Sequence, residues 1–191
     1  MSRIEGVPEE AAGPYTRLVY AGSRRRFAGR LPEPVAVYAH HPLLMNGYGA
    51  FELAFQRSNK VPERLKLVAE VKAAALAGCE WCLDFGSWLS RDAGVTERQL
   101  RELHHFRDSD AFSGEEKLVL EYAEGLTRTP VEVSDELVAR LRERFDEPQL
   151  VELTWAASIE NMRARFSRAL GIGSQDYSEG AACALPEPAR Y

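Results

Sequence analysis

The sequence predicts an all-α fold on three observations. Apolar residues recur at three- and four-residue spacing along almost the whole chain. Helix-start signals precede those runs. No segment alternates apolar and polar residues between turns at strand spacing. The periodic segments predict helices over 9–27, 34–40, 43–58, 62–77, 79–93, 97–104, 114–128, 135–145 and 147–170.

The first helix closes on Arg24-Arg25-Arg26, cations that suit the negative end of a helix dipole. A short second segment runs to His40-His41, and Pro42 and Pro62 open the next two helices at positions where proline is tolerated. Gly78 interrupts the chain before 79–93. Thr96 with Gln99 and Ser113 with Glu116 are capping boxes for the following pair. Leu118, Val119, Tyr122, Ala123 and Leu126 make the apolar stripe of 114–128. His104-His105 read as charges at a helix C-terminus.

Pro130 separates that helix from the next, where Ser134 is the N-cap, Asp135 and Glu136 fill the first turn, and Leu137, Leu141 and Phe145 form the stripe. Pro148 opens the last helix. Val151, Trp155, Ile159, Met162, Phe166 and Leu170 mark one face of it, and Gly171 ends it. Residues 1–173 therefore read as one continuous helical domain. Residues 174–191, rich in Gly, Ser, Ala and Pro, are expected to lie extended over the body or over a neighbouring subunit.

A chain of 191 residues suits one domain with a sizeable core. Its net charge of −5 argues against nucleic-acid or anionic-membrane partners, which need clustered Lys and Arg. No apolar run approaches the roughly 20 residues of a membrane span, and "MSRIEGVPEEAAG" has no apolar signal core. A cytoplasmic location is expected, where structural disulfides are rare. Three cysteines cannot complete a disulfide framework.

The chemistry concentrates in "GCEWCLDFGS", Gly78–Ser87. Cysteines at i and i+3 in helical register put both sulfurs on one face. Cys79, in the first turn of a new helix, meets free N–H groups that favour a thiolate. Three readings stand: a redox dithiol, a pair of inert core cysteines, or half of a zinc site. The last needs two further ligands from His40-His41, His104-His105 or Cys183, and none has a second motif spacing. The spacing favours the dithiol, with no cofactor and no metal. His40 and His41 are candidates to line a pocket or cap a helix. Trp81 is a packing anchor or a substrate platform, and Asn161 a structural hydrogen bond or a pocket residue.

"LKLVAEVKAAALAGCEWCLDFGSWLSRDAGVTERQL" resembles the core of the carboxymuconolactone decarboxylase superfamily, in its alkylhydroperoxidase D-like branch. "EKLVLEYAEGLTRTPVEVSDELVARLRERFDEPQLVELTWAASIENMRARFSRALGIGSQDYSEG" resembles that family's following helices, so the likeness spans roughly residues 30–180. It implies a helical subunit in a homo-oligomer, a trimer or a multiple of it. It also implies that Cys82 attacks a hydroperoxide and Cys79 resolves it, inverting the acidity that the helix terminus alone suggests.

The family's proton relay is a glutamate twelve residues before the first cysteine and a histidine four after the second. Those positions hold Leu67 and Gly86 here. Glu70, one turn on, and Asp84, beside Gly86 with Ser87, are the candidate substitutes. The expected function is a CxxC-dependent thiol oxidoreductase of peroxidase type, served by a small-molecule oxidant and an external dithiol reductant. Candidate catalytic residues are Cys82, Cys79, Glu70 and Asp84; candidate substrate-binding residues are His40, His41, Trp81 and Asn161. The alternatives are a decarboxylase or lactone-type enzyme using His40, His41 or Glu70, and a non-catalytic helical oligomer. The decarboxylase branch uses no CxxC dithiol, so both cysteines being present favours redox chemistry.

Overall fold

The computed structural model describes residues 2–187, and among them every regular element is helical. The order is α1 (Pro14–Arg26), α2 (Glu33–Tyr38), α3 (Pro42–Arg57), α4 (Glu63–Ala77), α5 (Glu80–Asp92), α6 (Glu97–Glu102), α7 (Gly114–Thr127), α8 (Asp135–Arg142) and α9 (Glu147–Ala169). A single 3-10 turn, Leu103–His105, follows α6. No helix among the described residues is long and apolar enough to cross a membrane.

The termini obey local chemistry. Both expected capping boxes form, Thr96 with Gln99 and Ser113 with Glu116, and Ser134 caps α8. A third box, Asp146 with Gln149, opens α9, and its signal lay in the sequence unread. Helix α1 starts at Pro14 rather than 9, because Ala11 and Ala12 donate back to the carbonyls of Pro8 and Glu9 in a turn and Pro14 then takes a first-turn position. Helix α8 stops at Arg142 rather than 145, where Arg144 and Phe145 both donate to the Leu141 carbonyl.

Helix α4 is the centre, packed against α5, α7 and α9. Ala73, Ala74 and Ala75 are small enough to let those three neighbours approach closely, and all three are buried. Polar side chains on such a helix must be paired, because an unpaired buried charge costs several kcal/mol. Lys66 Nζ lies 2.9 Å from Glu152 on α9, and Lys72 Nζ lies 3.3 Å from Glu124 on α7. Glu70 meets Arg163 on α9 at 2.5 Å. Each pair ties α4 to a different neighbour or a different turn of the same one.

Behind this centre, Val61, Leu65, Leu118, Leu141, Phe145 and Leu153 form one apolar cluster. Tyr20, Ala36 and Met45 anchor a smaller one that attaches α1, α2 and α3. After α9, Gly171 turns the chain with φ 68°. The segment to Glu187 then crosses α5 of its own chain: Ala184 N–H donates to Ser87 Oγ, Glu187 N–H to the Ala75 carbonyl, and Glu187 reaches Lys72 at 2.5 Å. Residues 188–191 of the expected tail lie outside the described residues.

Candidate active site

Gly78 ends α4 in the left-handed conformation, φ 66°, which a side chain resists. The Arg168 guanidinium donates to its carbonyl at 2.6 Å and occupies the space a Cβ would take. The chain thereby turns directly from α4 into α5, and Cys79 becomes the N-cap of α5 rather than a first-turn residue. Its Sγ accepts the Cys82 N–H at 3.2 Å. Cys82 is the third helical residue, so both sulfurs sit at the positive end of α5. They are joined as a disulfide, with Cα atoms 5.2 Å apart.

The pair is buried, Cys79 at 1% and Cys82 at 4% exposure, in a cluster with Val68, Val71, Ala74, Leu83, Phe106 and Ile172. Trp81 stacks on Phe85 with ring centroids 4.8 Å apart, and its Nε1 donates to Gln175 Oε1 at 2.9 Å. Beside Leu83, a cavity of about 320 Å³ is lined by Glu80, Asp84, Ser174, Ser178 and Cys183. Cys183 packs on the cluster, and burial pushes its thiol pKa up although Ser87 Oγ donates to it at 3.6 Å. Among the described residues no group of three or more His, Cys, Asp or Glu is arranged to hold a metal ion.

The two expected acid–base substitutes are engaged elsewhere. The buried Asp84 carboxylate accepts the N–H groups of Gln175, Tyr177 and Ser178 at 3.0, 3.0 and 2.7 Å, and the Ser174 hydroxyl at 2.9 Å. Burial alone would raise its pKa, but these donors hold it below 3.8. Glu70 belongs to a buried group on α3, α4 and α9. Arg163 grips Glu52 with both prongs, at 2.7 and 2.6 Å, and also reaches Glu70 at 2.5 Å and Glu160 at 3.1 Å. One guanidinium cannot balance three carboxylates. Burial first, then Glu70 and Glu52, push Glu160 to about 8, and its Oε1 has no hydrogen-bond partner. Burial raises Glu70 as well, against the pull of Arg163.

The relay positions themselves are apolar in character and space. Leu67 is buried, and a Cβ on Gly86 would lie 3.2 Å from Val71 Cγ2. The candidate binding residues do not converge. His40 and His41 are exposed at the corner between α2 and α3, where His40 Nε2 bonds the Glu5 carbonyl and His41 Nδ1 accepts the Leu44 N–H at 3.4 Å as the α3 cap. Asn161 donates to Thr127 Oγ1 and the Ala157 carbonyl, fastening α9 to the end of α7. Of the eight candidates, Cys79, Trp81, Cys82 and Asp84 share the first two turns of α5. Sequence reasoning missed Arg163 and Gln175; only the i, i+3 spacing of Glu160 and Arg163 inside an apolar helix could have flagged the former.

Residues 42–125 match the model of the carboxymuconolactone decarboxylase family. The chain is 32% identical over 184 residues to the uncharacterized protein YnjA of Escherichia coli K12, covering 95% of this chain and 98% of that protein. It superposes on the crystal structure of a debrominase in its apo form with TM-score 0.80 at 19% identity, over 91% of this chain and 92% of that one. On an alkylhydroperoxidase AhpD core from Ralstonia eutropha JMP134 the TM-score is 0.78 at 16% identity, over 92% and 93% of the two chains. These last two likenesses concern the fold. With its helices, its CxxC at the start of α5 and its match to the family model in place, the chain belongs to the carboxymuconolactone decarboxylase family.

Proposed function

We propose that the chain is a thiol oxidoreductase that cycles Cys79 and Cys82 between dithiol and disulfide while reducing a hydroperoxide or related oxidant. The observation that carries this reading is the pairing itself: the two sulfurs are bonded at the N-terminus of α5, where helix N–H groups favour a thiolate on reduction. The Cys82 thiolate attacks the terminal oxygen of the hydroperoxide. The O–O bond breaks, leaving Cys82 as a sulfenic acid and releasing an alkoxide that takes a proton from solvent. The Cys79 thiol displaces water from the sulfenic acid to form the disulfide. An external dithiol then reduces it and is itself oxidised.

Because Glu70 is held by Arg163 and Asp84 by residues 174–178, neither carboxylate is free to move the proton. General acid–base assistance contributes about 10²–10⁴-fold where it operates. The reaction with peroxides is therefore slow compared with that of a relay-bearing dithiol. The test is a stoichiometric hydroperoxide pulse on reduced protein, with free thiols counted by mass. Wild type is expected to lose two thiols and Cys82→Ser none at this site. Equal losses at equal rates in both would refute the assignment.

A further inference from the structure

Lys72 on α4 is 0% exposed, and a charge so placed must be met by an opposite charge. Three cations share one buried carboxylate there. Glu124 on α7 lies 3.3 Å from Lys72, 3.0 Å from Arg107 and 2.6 Å from Arg128. Burial would raise the Glu124 pKa, yet these cations hold it at about 2. Arg128 also reaches Glu132 at 3.3 Å, but that carboxylate is exposed and screened by solvent. The remaining positive charge is met from the C-terminal segment. Glu187 lies 2.5 Å from Lys72 Nζ, and the Arg128 charge is stabilised first by Glu124 and further by Glu187.

Glu187 belongs to no helix. Its segment is held at Asp84 and Ser87, and its own N–H donates to the Ala75 carbonyl. Carboxylate and cation thus meet as a ligand meets a site. Lys72 and Arg107 also flank the Phe106 ring, with Nζ 4.9 Å and Cζ 4.5 Å from its centroid. Phe106 and Ala75 are members of the apolar cluster that holds Cys79 and Cys82.

We propose that Lys72, with Arg107 and Arg128 beside it, is a binding site for a carboxylate on an apolar body, and that Glu187 fills this site from within the chain. A fully buried ammonium favours a full negative charge over a neutral dipole. Three cations against Glu124 and Glu132 leave one positive charge, which suits a carboxylate better than a dianionic phosphate. The Phe106 wall suits hydrocarbon. Resting on the redox reading above, the substrate class is a hydroperoxide that carries a carboxylate. Lys72 lies seven residues before Cys79, about 10 Å of helix rise, so an acid held there has the sulfur cluster within reach of its chain. Glu187 is then an internal competitor. A tethered carboxylate has an effective concentration in the millimolar range, so at a site of about 0.1 mM affinity it weakens an external acid about tenfold.

Calorimetric titration of octanoate onto the full chain tests the site. Glu187→Ala is expected to bind octanoate at least about tenfold more tightly than wild type, and neither should bind octanol. Lys72→Met added to Glu187→Ala should abolish binding with unchanged circular dichroism, since an apolar replacement of a buried ion is often tolerated. Where that variant fails to fold, acylation of Lys72 in Glu187→Ala, located by mass, takes its place: octanoate should block it and octanol should not. A Glu187→Ala chain that binds no octanoate or binds it no better than wild type, binding that survives Lys72→Met, or acylation that octanoate leaves unchanged would each overturn the assignment. The substrate class is read separately, by counting thiols in reduced Glu187→Ala exposed to a hydroperoxy fatty acid or to its methyl ester. The acid should react at least about tenfold faster, and equal rates would overturn the class. Thiols that survive both reagents would count against the redox reading itself, and the octanoate titration still decides the site.

Discussion

Asp84 and Ser178 are 94 residues apart in sequence and doubly bonded in space: the Ser178 N–H donates to Asp84 Oδ1 at 2.7 Å, and the Ser178 hydroxyl donates to the Asp84 carbonyl at 2.7 Å. With the donors from Ser174, Gln175 and Tyr177, this makes Asp84 the fastening point of the segment that crosses α5. Ala184 of that segment belongs to the same apolar cluster as the buried disulfide. One carboxylate therefore fastens the C-terminal segment against the apolar cluster that holds the sulfurs.

Asp84→Ala removes the common acceptor and leaves the N–H groups of Gln175, Tyr177 and Ser178 unpaired, the last two buried and each costing about 1–3 kcal/mol unless the segment detaches. Detachment is the cheaper outcome. Limited proteolysis between 174 and 187, and the rate of disulfide reduction by a small phosphine, should both rise at least about tenfold. The pH dependence follows from the lowered pKa. The stabilisation is complete above 3.8 and is lost only as pH falls through the folded value beneath it. Wild type should therefore keep the segment attached at pH 5. Equal cleavage rates in variant and wild type would disprove the fastening role.

How legible this was in the sequence depends on range. Caps and helix stripes are local, so Thr96, Ser113 and Ser134 could be read directly, and so could the cysteine pair. The partners of Glu70 and Asp84 could not. Their spacing to the cysteines suggested proton transfer, yet Arg163 and Ser178, each more than ninety positions away, decide where those carboxylates point. The stripe on α9 is legible only in part. Periodicity shows that Val151, Trp155 and Met162 share a face but is silent on whether that face is covered by the same chain.

Glu160 predicts a pH dependence of opposite sign to that of Asp84. Its carboxyl is raised from 4.5 to about 8, so its contribution to stability is complete below pH 4.5 and is lost as pH rises toward 8. The loss is at most about 1.4 kcal/mol per pH unit for one proton. Glu116, Glu124 and Glu152 are lowered, Glu124 to about 2, so their contributions are already complete above pH 4.5 and add no slope there. Glu160→Gln cannot ionise. It is expected to melt near wild type at pH 5 and above it at pH 8.5. Parallel melting curves across that range would show that Glu160 is ionised throughout.

Arg163 is the reciprocal case. Arg163→Met takes from the buried Glu160 and the partly buried Glu52 and Glu70 the cation they share, and removing one partner of a buried ion pair costs about 3–5 kcal/mol. The cost should be largest at pH 8 and smaller at pH 5, where the carboxyls can take up protons. Arg163→Lys keeps the charge but loses the two-pronged grip on Glu52, so its denaturant midpoint should fall between those of Met and wild type. A midpoint for Arg163→Met that is independent of pH would contradict the charge imbalance.

Gly86 offers the most direct test of whether a missing proton relay limits the cysteines. A Cβ there would sit 3.2 Å from Val71 Cγ2, so Gly86→His alone overpacks the interface of α4 and α5 and should cost about 1–3 kcal/mol. Adding Val71→Ala removes the atom in the way and gives the imidazole room beside the sulfur cluster, which Val71 helps to form. The double variant is therefore expected to regain stability relative to Gly86→His, at the cost of the Val71 methyl groups. If proton transfer is what the wild type lacks, hydroperoxide oxidation of Cys82 in the double variant should accelerate toward 10²-fold. Stopped-flow fluorescence of Trp81, the residue directly before Cys82, reads that rate. A stably folded double variant that reacts no faster than wild type would place the limit elsewhere, in access through the segment that Asp84 fastens.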